Sequence, residues 1–446
     1  MKNRLVVWGL AITLVVGGSL AFSLTSRGAS SGGDRRFEDL RVVLEVISLV
    51  RTHYVDPVDV TGLVAAYIQK GTINGMLQAA LHDRYTRFLP RRAYGQMQIE
   101  TRGVFTGLGI NVGIKDDRIT VIAPIPGTPA ARAGLLPGDR IVHIDGRPTD
   151  YMSLDEAVSL MRGERGSPVV LGIERANGQR SDVRIVRSVI EVPSVSQIEV
   201  LRPGTYPGLS APVGYVRLLS FTERTEGELS EALERLEREG VRGLILDLRY
   251  NPGGLFGAAI GVANLFLEGG PIVHIVGRDR DRRTVFASGD GRRVNVPLVV
   301  LVNEYSASAS EIVSGALQDR GVATLVGTRT FGKGLVQTVI PLRDGSALSL
   351  TTARYETAGG RQIDGSGIVP DVVVPDPAGE RAGEPPDPAA LLGEVDLQDV
   401  QLRRAVELLE EKLAGGAPAP RQAATAAARA RPLAAGSAAR HPSGSV

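Results

Sequence analysis

The sequence predicts an α/β protein in which a β-rich module is inserted ahead of a largely parallel core. Two observations carry this. Residues 212–370 alternate near-continuous apolar runs with helical segments, as strands buried on both faces and joined by crossover helices do. Residues 101–189 instead alternate short β-rich runs with turn signals. The chain has 446 residues with 43% hydrophobic content, enough for roughly two or three domains with cores of their own. Its 51 basic and 49 acidic residues leave a net charge of +2, so nothing points to nucleic acid. No cysteine is present, which excludes disulfides and cysteine-based sites, and the scattered histidines show no metal-ligand spacing; no metal and no cofactor is expected.

Residues 1–27 read as a membrane anchor or signal segment. Residues 5–24 carry no charge and follow Lys2 and Arg4. A helix of that length spans a bilayer core of about 30 Å, and the basic flank stays cytoplasmic. The remainder is then extracytoplasmic, on the envelope or periplasmic side, held to the cytoplasmic membrane by this segment. The rival is a cleaved signal peptide, given the small residues at 29–33. Residues 37–100 form a helical region. Val42, Val43, Val46, Ile47, Leu49 and Val50 make an apolar stripe, and after Pro57 a second helix is expected over 61–81. So small a pair must pack on the main body or on a second chain.

In the module at 101–189, strands are expected at 107–114, 119–123, 139–144, 169–174 and 182–186, with short helices at 129–133 and 154–161. The run G-L-G-I-N-V-G over 107–113 fails as a dinucleotide loop: its third glycine comes one place late and a strand pattern follows. In the core at 190–375, a strand at 213–221 leads to a helix at 223–239. A strand at 243–248 then ends in the turn Asn251-Pro252-Gly253-Gly254, followed by a helix at 255–267 and strands at 272–276 and 298–302. Function in such sheets gathers at the carboxyl ends of strands, where 251–254 and 304–310 fall. Residues 395–414 add a helix at 398–413. Residues 415–446, rich in Ala, Arg, Pro and Ser, read as disordered.

Ser308 opens S-A-S-E, with Glu311 three residues on. That is a capping box, and Ser306 and Ser310 compete with Ser308 for any nucleophilic role. A helix N-terminus also suits a developing oxyanion, so a nucleophile at Ser308 is the second reading. A serine needs a base. Lys333 is one of only five lysines, and a lysine serves as base when burial disfavours its charged form. Phe331, Leu335 and Val336 supply apolar surroundings, Gly332 and Gly334 allow close packing, and Gln337 can orient the amine without adding charge. On a strand, residues four apart share a side, so Lys333 and Gln337 would face the same way. The run from Gly327 to Lys333 mimics a phosphate loop, but Gly334 stands where Ser or Thr would hold magnesium.

Taken together, S-A-S-A-S-E-I at Ser308, T-F-G-K-G-L-V-Q at Lys333 and Gln337, and D-L-R-Y-N-P-G-G at 247–254 resemble the carboxy-terminal processing peptidases, or tail-specific proteases. Over 129–146, P-A-A-R-A-G-L-L-P-G-D-R-I-V-H-I-D-G resembles a PDZ domain, with Gly107, Leu108, Gly109 and Ile110 as its carboxylate-binding loop. The resemblance implies a crotonase/ClpP-like core with an inserted PDZ domain. It also implies catalysis by Ser308, Lys333 and Gln337, and an oxyanion hole from the backbone of Ala309 and of Gly254, with Gly253 close behind. Protein substrates with exposed C-termini, Arg162 as a PDZ sensor, homodimerisation through the terminal helices and an adaptor or activator protein are further implications. The alternative is a non-catalytic PDZ adaptor of the cell envelope.

Overall fold

The computed structural model describes residues 32–289, 295–375 and 395–415. The expected anchor at 5–24 and the expected tail after 415 lie outside them. Among the described residues, no helix is long and apolar enough to cross a membrane. In chain order the elements begin with α1 (Gly32–His53), α2 (Val60–Lys70), α3 (Ile73–Leu81), β1 (Arg87–Leu89), α4 (Arg91–Arg102), β2 (Val104–Gly107), β3 (Ile110–Lys115), β4 (Arg118–Pro124), α5 (Pro129–Arg132) and β5 (Arg140–Ile144). Next come β6 (Arg147–Pro148), α6 (Leu154–Met161), β7 (Pro168–Glu174), β8 (Arg180–Val186), β9 (Ser188–Glu191), β10 (Val195–Leu201), β11 (Val213–Leu218), α7 (Thr225–Arg238), β12 (Gly243–Asp247) and α8 (Phe256–Asn264). The last are β13 (Pro271–Gly277), β14 (Arg282–Phe286), β15 (Leu298–Val302), α9 (Ala309–Asp319), β16 (Ala323–Gly327), β17 (Leu335–Pro341), β18 (Ala347–Thr357), β19 (Val372–Val373) and α10 (Val400–Ala414).

The chain divides into two compact units. The first comprises residues up to Gln98 with Val276–Asp281 and Leu335–Arg354. Here β18 pairs antiparallel with β1 on one side and β17 on the other. The predicted stripe becomes the inner side of α1, where Val43, Val46 and Val50 pack with Leu63, Met76 and Leu77 over Leu348 and Leu350. The single helix expected over 61–81 is two helices. Gly71, at φ 69°, closes α2 in the left-handed conformation, and the Thr72 side chain accepts the Gly75 N–H to start α3.

In the second unit, the module is a sheet ordered β3-β4-β5-β7-β8, and β2 pairs with β9 where the chain enters and leaves it. Leu108, Ile141, Leu171 and Ile173 are among its buried residues. The larger sheet is ordered β10-β11-β12-β15-β16-β19, parallel except for β10 against β11. Ile245, Val299 and Leu301 pack against α10, while Leu244, Leu246 and Val300 are equally buried, so both faces are covered. Leu402, Val406 and Leu409 fix α10 to this sheet, each fully buried side chain contributing about 1.5–3 kcal/mol. The apolar side that would have paired 398–413 with another chain is therefore covered by its own.

Beneath the end of β12 lies a buried ionic cluster. Asp247 accepts from Tyr215 Oη at 2.6 Å, from Arg217 Nη2 at 2.8 Å and from Arg249 Nη2 at 2.7 Å. Arg249 also donates to Gln401 at 2.9 Å and pairs with Asp399 at 2.6 Å, which ties the start of α10 to the turn after β12. Burial alone pushes the Asp247 carboxyl up, but Arg249 and Arg217 outweigh it and hold it well below the usual range. Because the folded pKa is depressed, this stabilisation is complete above an unfolded value of about 3.9 and is lost as pH falls through the folded one. Replacing Asp247 by Asn leaves the buried Arg217 guanidinium without its carboxylate and leaves Arg249 with Asp399 alone. Asp247→Asn should cost about 3–5 kcal/mol and lower the melting temperature by about 10 °C at neutral pH. Calorimetry checks this; a wild-type melting temperature would show that the cluster does not hold the turn.

Candidate active site

Three serines contend at the start of α9, and their surroundings separate them. Ser306 is fully buried, donates from Oγ to Leu248 O at 2.8 Å and accepts the Asn303 N–H at 3.0 Å. Ser310 is also fully buried and donates to Asn251 O at 2.9 Å. Ser308 is partly exposed and occupies the N-cap of α9 with φ 54° and ψ −111°, a conformation that residues with a Cβ rarely adopt.

The turn after β12 is built against this serine. Asn251 donates from Nδ2 to Leu218 O at 2.8 Å and accepts Gly253 N–H on Oδ1 at 2.9 Å, and its own carbonyl accepts Ala307 N–H at 3.1 Å. A Cβ on Gly253 would stand 2.6 Å from Ala307 O and 2.9 Å from Ser308 Cβ, and one on Gly254 would stand 2.1 Å from Phe221 O, so only glycine fits either place. The Gly253 N–H is committed to Asn251. Among the described residues, the N–H groups of Gly254 and Ala309 carry no hydrogen bond.

Lys333 is not on a strand: β17 begins at Leu335. The strand periodicity that would put Lys333 and Gln337 on one side therefore does not apply, and the register of β17 also slips between Val336 and Gln337. What fixes Lys333 is a carboxylate. Glu311 Oε2 accepts the N–H of Ser308 at 2.8 Å and of Lys333 at 2.9 Å, while Oε1 accepts Thr330 Oγ1 at 2.6 Å and Gly332 N–H at 2.7 Å. Phe331 N–H also donates to Ser306 O at 3.0 Å. Burial pushes the Glu311 carboxyl up, and its four donors only partly offset that. Phe331 itself is 47% exposed. Gln337 lies on β17 in the first unit, with its amide Nε2 3.4 Å from Thr351 Oγ1. His274 on β13 has both ring nitrogens engaged, by Thr284 Oγ1 at 2.7 Å and Ala358 O at 3.2 Å.

In the module, Gly109 has φ 77°, and a Cβ there would strike Thr128. The carbonyls of Leu108 and Gly109 accept from Ala130 N–H and Ile125 N–H, each at 2.9 Å. Their N–H groups carry no hydrogen bond among the described residues. Among the described residues, β3, which begins at Ile110, pairs only with β4 and leaves its other edge open beside α6. Gly107 ends β2. Arg162 caps α6 and holds its guanidinium 5.2 Å from the Phe105 ring centroid. Sequence reasoning missed Glu311 as a junction, because the capping box explained it within its own helix. The available signal was a lone charge among Ile312, Val313, Ala316 and Leu317.

A profile described as Peptidase family S41 matches residues 212–374, and one described as PDZ domain matches residues 120–175. A carboxy-terminal-processing protease of Bartonella bacilliformis is 41% identical over 343 residues, which cover 76% of this chain and 75% of the relative. The carboxy-terminal processing protease CtpA of Bacillus subtilis is 35% identical over 380 residues, covering 83% and 78%. A solved S41 protease structure from Bacteroides fragilis shares the fold, with a TM-score of 0.50 and 18% identity, covering 83% of this chain and 97% of that one.

Glu311→Gln tests the junction. An amide accepts on one atom only, and its NH₂ would face two of the four donors. The variant should lose about 2 kcal/mol or more, read as a lower denaturation midpoint. A midpoint equal to wild type would show that the two segments are held by something else.

Proposed function

The chain belongs to the carboxy-terminal processing proteases of peptidase family S41, and on that premise we propose that it is an extracytoplasmic serine endopeptidase with a Ser308–Lys333 dyad. Ser308 Oγ attacks the scissile carbonyl while the Lys333 amine takes its proton. The ammonium returns that proton to the leaving amine, and a water deprotonated by Lys333 releases the acyl-enzyme. The N–H groups of Ala309 and Gly254 donate to the oxyanion; Gly254 is preferred to Gly253, whose N–H is already bound to Asn251. Gln337 supplies the assisting amide. The observation that carries this reading is the fate of the three serines. Ser306 and Ser310 spend their hydroxyls on backbone carbonyls, and Ser308 is left partly exposed with its N–H on the same Glu311 oxygen as that of Lys333.

The PDZ domain brings the substrate. The N–H groups of Leu108 and Gly109 suit a terminal carboxylate, and the open edge of β3 from Ile110 onward suits an added peptide strand, with Gly107 leading into the loop. Arg162, stacked on Phe105 next to this loop, is the residue we assign to sensing a bound tail. Residues 5–24 hold the enzyme at the membrane. Leu44 and Ile68, left exposed on α1 and α2, are where a homodimer would form, and an adaptor or activator protein would act on the PDZ domain.

A panel of tailed substrates tests the proposal. Ser308→Ala and Lys333→Ala should each lower kcat by about 10⁴-fold or more, with tail binding retained. Amidating the substrate's terminal carboxylate should raise KM about tenfold. Undiminished cleavage by Ser308→Ala would sink the dyad, and indifference to the carboxylate would sink tail recognition.

A further inference from the structure

The first unit holds a buried carboxylate that this chemistry does not use. Asp83 follows α3, and its Oδ2 accepts from Thr351 Oγ1 at 2.6 Å and from Thr86 Oγ1 at 2.7 Å, while Oδ1 accepts the Tyr85 N–H at 2.8 Å. Thr351 is 1% exposed and Thr86 2%. Burial pushes the Asp83 carboxyl up, but the hydroxyls of Thr351 and Thr86 and the neighbouring N–H groups outweigh it, so the net shift is downward. Asp83 is thus an ionised group that only accepts. A threonine hydroxyl has one proton, and Thr351 has given its proton to Asp83. Only lone pairs remain on Thr351 Oγ1. Gln337 stands opposite Thr351, where the register of β17 on β18 slips, and brings Nε2 to 3.4 Å from that oxygen.

We propose that Asp83, through the Thr351 hydroxyl, fixes which way round the Gln337 amide lies: NH₂ toward Thr351, and Oε1 left as the end that can accept. Asp83 and Thr351 are then positioning residues. The inference rests on the reading of Gln337 given above and sharpens it, because it says that Gln337 works as an acceptor. An acceptor stabilises an ammonium formed when a lysine takes the serine proton, whereas an NH₂ in the same place would oppose it. Without the Asp83 charge, Thr351 could donate to Oε1 and the amide could lie either way. The same contacts also fasten residues 83–86 to β18, since Thr351 N–H donates to Thr86 Oγ1 at 3.1 Å. The test must therefore separate orientation from fastening.

The experiment is a mutant cycle on the full chain, read as kcat and KM, or as the rate of acylation by a fluorophosphonate where turnover is too slow to follow. Thr351→Val and Asp83→Asn should each lower kcat about tenfold with KM unchanged, while Thr351→Ser, which keeps the hydroxyl, should retain wild-type kcat. In a Gln337→Ala background neither change should lower the rate further, because the amide they orient is gone. Equal losses with and without Gln337, or no loss in either background, would overturn the relay. Should Thr351→Val fail to fold, the isosteric Asp83→Asn carries the same comparison. Ser308→Ala run alongside keeps the two ideas apart: cleavage surviving in it defeats the dyad, whereas additive losses with Ser308→Ala inactive defeat the relay alone.

Discussion

Glu311 is closed off from solvent, yet four donors from two separate segments converge on its two oxygens. An ionised carboxylate buried alone would be prohibitively costly. Hydrogen bonds to a charged group contribute about 1.5–3 kcal/mol each, so four of them make the burial tolerable, and none can be withdrawn without exposing the rest of the cost. The consequence is geometric. One oxygen binds the backbone N–H of Ser308 and of Lys333, so the start of α9 and the loop before β17 are registered to a common point. The loop cannot shift without dragging the serine backbone with it. Phe331 N–H on Ser306 O adds a second tie between the same segments.

The other side of Ser308 depends on a longer chain of constraints. Asp247, held by Arg217, Arg249 and Tyr215, closes the end of β12, and Arg249 reaches on to Asp399 and Gln401 at the start of α10. The chain then turns through Tyr250, whose N–H donates to Asn303 Oδ1 and whose ring stacks on Tyr305 at 5.3 Å. Asn251 follows and binds Ala307 and Ser310, the residues that flank Ser308 closely. Adjacent parallel strands thus deliver their carboxyl ends to one place, and the buried Asn303 side chain and Asn251 backbone carbonyl lock one loop to the other. Sheet topology accounts for the location of the candidate site; these bonds account for its precision.

Much of this was legible in sequence. The parallel strands, the turn at 251–254 and the helix start at Ser308 follow from apolar runs, glycine placement and the capping box, whereas Lys333 as a base rests on resemblance. What escaped was carried by side chains whose partners lie far along the chain. Glu311 read as a helix cap because its second set of partners sits at 330–333, about twenty residues on. Arg187 gave no signal, yet it is buried and donates to the carbonyls of Leu160 and Met161 at the end of α6. The scarcity of lysine was a blunt clue. Lys412, too, is half-buried, and there burial lowers its pKa and its Nζ donates to Thr324 Oγ1 at 2.7 Å. The break between α2 and α3 was written in Gly71 and Thr72, but the apolar periodicity on either side of them masked it.

Ser308 and Tyr250 share a conformation with positive φ, at 54° and 61°, and both sit where these loops meet. Such backbones cost on the order of 1–3 kcal/mol each and persist only when their surroundings over-determine them. Glycine would relieve the strain at 308 at the expense of the hydroxyl. The conformation must therefore be imposed from outside, and the groups that impose it can be named. The Asn251 carbonyl binds Ala307 before the serine and Ser310 after it, while Glu311 binds the serine's own N–H. Asn251, Ser310 and Glu311 are each fully buried, so none exchanges its bond for one to water. The strain is concentrated at the residue assigned the reaction, and the rigidity that sustains it lies in neighbours that have no part in the chemistry.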